Sequence, residues 1–461
     1  MKIVLVVPPS PFLLDDRAFP FLGPLVIAAV ARQAGHRVEV ADLTGYKRRH
    51  GGAHADTADV LLEAKAALYA HRKADLIGFY SLAAQHPTVV QLNAFIRGES
   101  RAVTALGGPH ANTCPERCLD DDFDYVVASD QGGGGGEPGF LELIKRVAVS
   151  RVRPENPADR ILKISSRVPG VRWQNDRWPL PARDLIDLLS YRYFIGGERA
   201  TSIVTATGCP FACTYCSHWE GYRKLEGKSS ERVDQEIWQI RRDYGIRAFM
   251  FYDDEINLRP DFTSEFLPTL RRSDVRWRAF FKNGKHLTKE HIFEAMAASG
   301  CAELCTGAEA ADPQILKAIR KGASVEDNTA FVRLCVKYGI RPKVFTQVGL
   351  PGETHETIEA LRRWLIDMAS EGLADADVSI TTPYEGTPIF DKPEEHKIHF
   401  DPSELDYSKD AILYKGVPGE YKSHVWHDGL SREDIVLARQ SIENDFRKAA
   451  GLEPLLAKDD G

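Results

Sequence analysis

The residues SIVTATGCPFACTYC, numbered 202 to 216, place a short apolar run directly before three cysteines. The run at 202–205 is rich in β-branched side chains, which predicts a buried strand. Cys209, Cys213 and Cys216 follow it with the spacing C-x3-C-x2-C. Thiolates are soft ligands that suit zinc or an iron–sulfur cluster. The pattern therefore predicts a metal site in a loop that follows a strand.

From the residues alone, two kinds of metal centre remain open for this loop. Structural zinc takes four ligands, often as pairs of C-x2-C, and His218 could complete such a site. A cubane iron–sulfur cluster held by three cysteines instead leaves one iron with an open position, as a catalytic metal site requires. Phe211 and Tyr215 lie between the cysteines in sequence and would shield a cluster from solvent.

Strands and helices alternate around and after the loop. The pattern predicts six strands, at residues 202–205, 247–252, 275–280, 303–306, 342–347 and 376–380. Helices are predicted between them, for example at residues 230–243, 289–298, 325–338 and 356–371. Six units are two short of a closed eightfold barrel. We therefore expect a partial (β/α)6 TIM-type barrel with its site at the carboxyl ends of the strands.

The first 150 residues alternate in the same way, with strands predicted at residues 2–7, 37–41, 75–80, 102–106 and 124–128. This spacing predicts an α/β fold with a doubly wound, Rossmann-like parallel sheet, which binds ligands beyond the carboxyl ends of its strands. We divide the chain into an α/β domain at 1–150, a linker at 151–200, the partial barrel at 201–390 and a helical C-terminal region at 391–461. In that last region, the aromatic segment 414–427 could cover the barrel mouth or cap its bottom.

The composition excludes several classes of protein. The chain has 461 residues, of which 43% are hydrophobic, and its net charge of -7 disfavours a non-specific nucleic-acid binder. No apolar run approaches the roughly 20 residues of a membrane span, and the first residues lack a signal peptide. We therefore expect a cytoplasmic protein with no membrane span. Cys114 with Cys118 and Cys301 with Cys305 are interpreted as buried, inert thiols, and residues 282–286 as a solvated loop.

The cysteine loop resembles the cluster loop of the radical S-adenosylmethionine (radical SAM) superfamily. In that superfamily the open iron chelates SAM, and one electron cleaves its sulfonium bond to give a 5′-deoxyadenosyl radical. The resemblance implies that Cys209, Cys213 and Cys216 hold a [4Fe–4S] cluster. It also implies an electron donor of the flavodoxin or ferredoxin type. One departure is Thr207-Gly208, where the superfamily often has Arg-Gly.

The turns after four predicted strands match the same superfamily in order. They are Tyr252-Asp253-Asp254-Glu255, Gly307-Ala308-Glu309, Gly349-Leu350-Pro351-Gly352-Glu353-Thr354 and Thr382-Pro383-Tyr384-Glu385-Gly386-Thr387-Pro388. The resemblance places these residues against SAM: Asp253, Asp254, Glu255, Glu309, Gly349, Pro351 and Pro383. Taken singly, each turn has a plainer reading, as solvated carboxylates or as a helix cap. In the last turn, Glu385 stands where the superfamily usually has proline.

The N-terminal sheet resembles the cobalamin-binding domain of one branch of these enzymes, through the residues after its first, third, fourth and fifth strands. The resemblance places these residues against cobalamin: Pro8, Pro9, Ser81, Gln85, Gly107, Gly108, His110 and Glu137. No D-x-H-x2-G segment is present, so cobalamin is expected without a histidine ligand to cobalt, and His110 is expected as a hydrogen-bonding residue. The glycine run 132–136 replaces the usual Gly-Glu-Gly-Glu turn. The alternative is a sheet that binds another flat cofactor, or none.

The resemblance implies a cobalamin-dependent radical SAM methyltransferase that methylates an unactivated carbon of a small molecule, such as a natural-product or lipid intermediate. Alternatives are oxidative cyclisation or rearrangement with the same cofactors, and a non-catalytic iron–sulfur or zinc protein. Methylthiolation ranks low, because the first cysteine is Cys114 and the tail is predicted helical. The catalytic residues stay unknown at this stage.

Overall fold

The computed structural model describes residues 1–10, 13, 15–46, 57–129, 135–165, 168–217, 223–407 and 421–454. The chain folds into two compact units. The first contains Met1–Tyr193, Glu220–Ser229 and Asp406–Asp410, and the second contains Phe194–Trp219, Ser230–Leu405 and Ala411–Gly461. Each unit has its own sheet. Among the described residues, no helix is long and apolar enough to cross a membrane.

The first unit is built on a six-stranded sheet in the order β2-β1-β3-β4-β5-β6, and every neighbouring pair is parallel. Its strands are β1 (Lys2–Val7), β2 (Arg37–Asp42), β3 (Leu76–Tyr80), β4 (Val103–Gly107), β5 (Tyr125–Ala128) and β6 (Ile161–Lys163). Its helices are α1 (Leu22–Gln33), α2 (Thr57–Tyr69), α3 (His86–Glu99), α4 (Pro109–Thr113) and α5 (Glu137–Val149). The parallel α/β sheet predicted from the sequence is confirmed.

Both faces of this sheet are covered because successive side chains of a strand point to opposite faces. Ile3 and Leu5 belong to a buried cluster shared with α1 and α5. Val4 and Val6 belong to a second cluster shared with α2 and α3. The continuous apolar run of β1 is therefore the signature of a strand that is buried on both sides.

The strand β6 lies in the segment that we interpreted as a linker, residues 151–200. It pairs with β5, with Val126 opposite Ile161 and Val127 opposite Leu162. Three residues flanked by polar and proline-rich sequence give too short a pattern to reveal a strand. The rest of this segment contains short 3-10 turns, for example Arg183–Leu185 and Leu188–Ser190.

The second unit is built on a seven-stranded sheet in the order β15-β14-β13-β12-β11-β8-β7. Its strands are β7 (Tyr193–Ile195), β8 (Glu198–Ile203), β11 (Ala248–Phe251), β12 (Arg276–Phe280), β13 (Cys301–Glu309), β14 (Arg341–Val348) and β15 (Asp375–Ile380). Between β8 and β11 the chain forms two very short strands, β9 (Ala206–Thr207) and β10 (Glu226–Gly227). Six strands of this sheet are parallel and form an open half-barrel: β8, β11, β12, β13, β14 and β15. This confirms the partial barrel.

The helices of the second unit follow its strands in the order expected of a barrel. They are α6 (Ser230–Tyr244), α7 (Leu267–Ser273), α8 (Glu290–Ala298), α9 (Pro313–Ala318), α10 (Val325–Lys337), α11 (His355–Ser370) and α12 (Pro388–Asp391). The strand β13 extends three residues beyond its predicted end and terminates at Glu309, which adopts a left-handed backbone conformation with φ of 62°. A register irregularity between Gly307 and Glu309 marks the same point.

The described part of the C-terminal region packs beside the last two barrel strands. A two-stranded ribbon joins β16 (His399–Phe400) to β17 (Val425–Trp426), and α13 (Arg432–Ala449) follows. Arg439 of α13 is buried and donates to Val378 O of β15 at 3.1 Å. His427 reaches Gly349 O at the carboxyl end of β14, at 3.0 Å. Residues 414–420 of the predicted lid or cap lie outside the described residues.

Candidate active site

The three cysteines of the predicted cluster loop are half-exposed free thiols in the second unit. The loop is held at its middle residue, because Thr214 N donates to Ile319 O at 3.1 Å and Thr214 O accepts from Ile389 N at 3.2 Å. Gly208 precedes the loop with φ of 101°, a conformation that glycine adopts without strain. Three accessible soft donors on one anchored loop fit a metal centre.

The three thiols of this loop are not drawn together around a single point. In the described part of the chain, the three sulfur atoms do not form a set within 4.8 Å of one another. A tetrahedral zinc ion would draw its sulfur ligands to about 3.8 Å apart, given Zn–S bonds of about 2.3 Å. A cubane binds each thiolate to a different iron and keeps the thiolates farther apart. The alternative fourth ligand, His218, lies outside the described residues.

Two carboxylates that follow β11 accept hydrogen bonds from the residues that lead into the cluster loop. Asp253 accepts hydrogen bonds from Thr205 N at 2.6 Å, from Ala206 N at 3.0 Å and from the Thr205 hydroxyl. Asp254 accepts from Gly208 N at 3.1 Å. Burial raises the pKa of Asp253 to about 6, although these hydrogen bonds oppose it. The carboxylate of Asp253 is thus occupied by the backbone that leads into the cysteines.

Glu309 is the centre of a buried charged network at the carboxyl end of β13. Its oxygens accept from Lys321 Nζ at 2.9 Å and from Gln347 Nε2 at 2.8 Å. Tyr215, from the cluster loop, hydrogen-bonds to the same carboxylate. Burial alone would raise the pKa of Glu309, but Lys321 and these hydrogen bonds outweigh it and the pKa is lowered. The network therefore joins the cluster loop to the barrel.

Gly307 makes room for this network. A Cβ atom at Gly307 would lie 2.2 Å from Glu309 Oε1 and 2.6 Å from Lys321 Nζ. Such distances exclude any side chain unless the ion pair moves. The glycine in Gly307-Ala308-Glu309 is therefore required by the packing of the carboxylate two residues later.

In the first unit, the predicted cobalamin residues collect at the carboxyl edge of the sheet. Ser81 follows β3, and its backbone accepts from His110 N at 3.1 Å. Gly108 has φ of 102°, and a Cβ there would lie 2.8 Å from Ser81 O. Gln85 is buried and donates to Ser10 Oγ at 2.7 Å. Because the side chains of Ser81 and Gln85 are buried and bonded within the protein, this edge offers a ligand mainly its backbone surface.

The remaining predicted cobalamin residues flank this edge. Pro8 and Pro9 are buried directly after β1. Glu137 begins α5, and its Oε2 is buried without a hydrogen-bond partner among the described residues. Burial raises the pKa of Glu137. An orphaned buried acceptor fits a ligand that carries amide N–H donors, and cobalamin carries such amides. Residues 132–134 of the glycine run lie outside the described residues.

Comparison with known families now identifies the two units. The family model of the radical SAM superfamily matches residues 203–365, which cover β9 to α11 and the cluster loop. The model of the B12 binding domain matches residues 19–133 of the first unit. The chain contains a radical SAM domain and a B12-binding domain. Its cofactors are accordingly a [4Fe–4S] cluster, SAM and cobalamin.

Three curated relatives match the chain at low identity. An uncharacterized methyltransferase of Pyrococcus horikoshii is 28% identical over 62% of the chain and 62% of its own length. The hopanoid C-3 methylase of Methylococcus capsulatus is 26% identical over 83% and 71%. The anaerobic magnesium-protoporphyrin IX monomethyl ester cyclase of Cereibacter sphaeroides is 26% identical over 66% and 51%. The chain thus spans only about three fifths of the first relative's length.

A solved structure shares the fold. The radical S-adenosylmethionine methyltransferase from Kitasatospora setae, solved with cobalamin and a [4Fe–4S] cluster, superposes with a TM-score of 0.62 at 20% identity. The match covers 91% of this chain and 83% of that one. At this identity the likeness shows that the α/β architecture is the same.

Within the described residues, Glu255 is the one predicted SAM carboxylate that no hydrogen bond occupies. The pKa of Glu255 is raised to about 7, because burial, assisted by Asp254 and Glu309, outweighs the opposing effect of Lys321 and Lys282. A nearby cation would stabilise the ionised form of a carboxyl group in this environment. The amino group and the sulfonium of SAM are both cations, so this orphaned group fits the cofactor.

The turn after β14 that is predicted to contact SAM is tightly closed. Glu353 accepts from Gly349 N at 2.6 Å and from Leu350 N at 3.0 Å, and burial raises its pKa to about 8. Gly349 has φ of 83°, and a Cβ there would lie 3.0 Å from Val425. Pro351 is buried in the same turn. Pro383 is buried in the turn after β15.

The sequence analysis missed Lys282, which we interpreted as part of a solvated loop. Lys282 and Asn283 are buried, whereas Lys285 and His286 are exposed, so that interpretation is wrong for the first half of the run. Lys282 Nζ donates to Lys321 O at 2.7 Å and lies 4.6 Å from the ring centroid of Phe211. A lysine directly after an apolar strand was the available signal. The cluster loop therefore packs against a buried cation.

Proposed function

We propose that this radical SAM enzyme is a cobalamin-dependent methyltransferase that methylates an unactivated carbon of a small molecule. The observation that carries the proposal is the conjunction of an anchored three-thiol loop in a half-barrel with a B12-binding domain in the same chain. The names of two relatives, a methyltransferase and a C-methylase, support methyl transfer.

The residues of the chain have distinct tasks in this proposal. Cys209, Cys213 and Cys216 hold the cluster, and Asp253 positions the loop that carries them. When bound, the cofactors supply a hydrogen-abstracting radical and a transferable methyl group. Glu255 receives the amino group of SAM, because it is the carboxylate without an internal hydrogen bond. Because SAM cleavage consumes one electron, a reductant of the flavodoxin or ferredoxin type is part of the proposal, as is a cytoplasmic location.

A row of aromatic rings inside the half-barrel supplies an apolar wall for a substrate. The ring centroids of Tyr252 and Phe280 are 5.9 Å apart, and those of Phe280 and Phe345 are 5.8 Å apart. Tyr252 is 53% exposed and directly precedes the carboxylates that follow β11. An apolar wall with a few polar groups at its rim is the usual form of a small-molecule site. We propose that these rings contact the substrate.

In the B12-binding domain we propose that backbone shape dominates recognition. Gly107 and Gly108 allow a flat ligand to approach the sheet edge, and Pro8 and Pro9 line the neighbouring strand end. Glu137 accepts a hydrogen bond from an amide of cobalamin through its orphaned Oε2. His110 is not assigned to cobalt.

Product analysis tests the methyl transfer. The enzyme is reconstituted anaerobically with iron, sulfide and hydroxocobalamin, then given a reductant, SAM with a deuterated methyl group and extracts of candidate small molecules. Methyl transfer to carbon predicts a product that gains one labelled methyl group, together with both 5′-deoxyadenosine and S-adenosylhomocysteine. S-adenosylhomocysteine is expected because one SAM molecule donates its methyl group and otherwise stays intact.

The same experiment separates a second candidate, oxidative cyclisation or rearrangement, which the name of the cyclase relative favours. That reaction predicts 5′-deoxyadenosine without S-adenosylhomocysteine, and a product that carries no label. A labelled product would exclude it, and an unlabelled product would overturn the methyltransferase proposal.

Replacing Glu255 by glutamine is expected to weaken SAM binding by roughly 10- to 100-fold, because a charge-assisted hydrogen bond contributes about 1.5–3 kcal/mol. Equilibrium dialysis of SAM against the reconstituted protein measures the change. Glu356→Gln, on the exposed first turn of α11, is the matched control and should bind SAM normally. Equal affinity in the two variants would remove Glu255 from the SAM site.

A further inference from the structure

Two histidines and two cysteines of the first unit meet beside the carboxyl ends of β3 and β4. One ligand atom from each of His86, His110 and Cys118 can be chosen so that all three lie within 4.8 Å of one another. Cys114 Sγ lies 3.6 Å from both ring nitrogens of His110. The side chains of Cys114 and Cys118 are also hydrogen-bonded to each other. Two short segments, one after each strand, thus bring four nitrogen and sulfur ligands together.

These distances suit a tetrahedral ion. Zn–S bonds of about 2.3 Å and Zn–N bonds of about 2.0 Å place a sulfur and a nitrogen ligand about 3.5 Å apart. The rings of His86 and His110 lie with their centroids 4.0 Å apart. Cys118 is fully buried and Cys114 is partly buried, so a bound ion would be largely screened from water. The set contains two imidazoles and two thiols, which is the donor set of structural zinc.

A second contact points to a bound cation. Asp121 Oδ2 lies 2.7 Å from His86 Nε2. A carboxylate on one ring nitrogen fixes the ring and increases its basicity, and this arrangement commonly accompanies zinc-bound histidines. The other nitrogen, Nδ1, lies 3.3 Å from the Ser81 hydroxyl. The imidazole of His86 is therefore oriented before any ion arrives.

From this geometry we infer a zinc site formed by His86, His110 and Cys118, with Cys114 as the fourth ligand. It replaces our interpretation of Cys114 and Cys118 as inert thiols. His86 and His110 are 24 positions apart in the sequence, and Cys114 and Cys118 are 4 apart. His86 comes close to the other three only because the turns after β3 and β4 lie side by side. The site is independent of the cluster loop, and it shares His110 with the residues predicted to contact cobalamin.

Zinc stoichiometry tests the inference. The test uses the full chain with Cys209, Cys213 and Cys216 replaced by alanine, so that the cluster loop cannot take up metal. Plasma emission after dialysis against zinc is expected to give about one zinc ion per chain, and Cys118→Ser and His86→Gln in this background should give none. His71→Gln, a partly buried histidine paired with Glu39, is the control and should keep the ion. Absence of zinc in the background protein would overturn the inference.

Cobalt substitution and measurements of zinc affinity distinguish the loss of a metal ligand from the loss of the fold. Co²⁺ in place of zinc should give intense visible bands and a thiolate charge-transfer band that Cys118→Ser abolishes. Asp121→Asn keeps all four ligands, and its zinc affinity is expected to fall by about 10- to 100-fold. Zinc should also raise the melting temperature of the background protein, but not that of Cys118→Ser. Unchanged zinc affinity in Asp121→Asn together with unchanged binding in His86→Gln would contradict the proposed ligand set.

Discussion

Replacing Cys213 by alanine is expected to lower the iron content of the reconstituted enzyme from about four atoms per chain to less than about one, since a cubane requires its cysteine ligands. The brown absorption of the cluster and the formation of 5′-deoxyadenosine should disappear with it. Iron and sulfide assays, a visible spectrum and chromatography of the nucleoside measure the three effects. Cys209→Ala and Cys216→Ala are expected to behave in the same way.

The control for this experiment is another cysteine of the same unit. Cys335 is fully buried in α10 and takes no part in the loop, so Cys335→Ala should retain the full iron content. Cobalamin retention reports on the first unit and should be equal in both variants. If Cys213→Ala retained its iron, or if the wild type bound zinc at the loop in preference to iron, the assignment of the cluster would be wrong.

The strands of both sheets were largely predictable because buried parallel strands are continuous apolar runs, as in β1 and β11. The boundaries were less predictable. The strand β6 has three residues and depends on pairing with β5, which no local pattern records. The end of β13 depends on Glu309 in a left-handed conformation, which side chains other than glycine seldom adopt. Both boundaries depend on strand pairing or on an unusual backbone conformation, which the hydrophobic periodicity of the sequence does not record.

The candidate site was predictable where its chemistry is local in sequence. The cysteine loop and Glu255 lie in short motifs whose spacing carries the information. Lys321, Gln347 and Lys282 were not found, since each reaches the site from a different strand or turn. A buried lysine is indistinguishable from a surface lysine until its partner is known.

Asp253 shows what a sequence motif leaves open. Its carboxylate is predicted to contact SAM because it lies in the matching turn. In the structure, its oxygens accept hydrogen bonds from Thr205 and Ala206. A motif identifies the turn, but the backbone geometry decides which of three adjacent carboxylates faces outward. For this reason our proposal gives Asp253 the task of positioning the loop and Glu255 that of binding SAM.

Replacing Glu309 by glutamine is expected to destabilise the second unit by about 3–5 kcal/mol, because it leaves the ammonium group of Lys321 buried without its carboxylate. Both side chains are less than a tenth exposed, and their atoms are 2.9 Å apart. Hydrogen–deuterium exchange of peptides from β13 and β14 measures the local free energy of opening in this unit. Glu371→Gln is the control, since its partner Arg333 is 61% exposed, and it should cost less than about 1 kcal/mol.

A double-mutant cycle separates the pair from general damage to the core. Lys321→Met should also destabilise the unit, because Glu309 then lacks its counter-ion. The double variant Glu309→Gln with Lys321→Met buries no net charge, so its cost should fall below the sum of the single costs by about 0.5–3 kcal/mol. Additive costs would show that the two charges do not stabilise each other. Because Tyr215 bonds to the same carboxylate, Glu309→Gln should also increase exchange in the cluster loop, and the surface control should leave that loop unchanged.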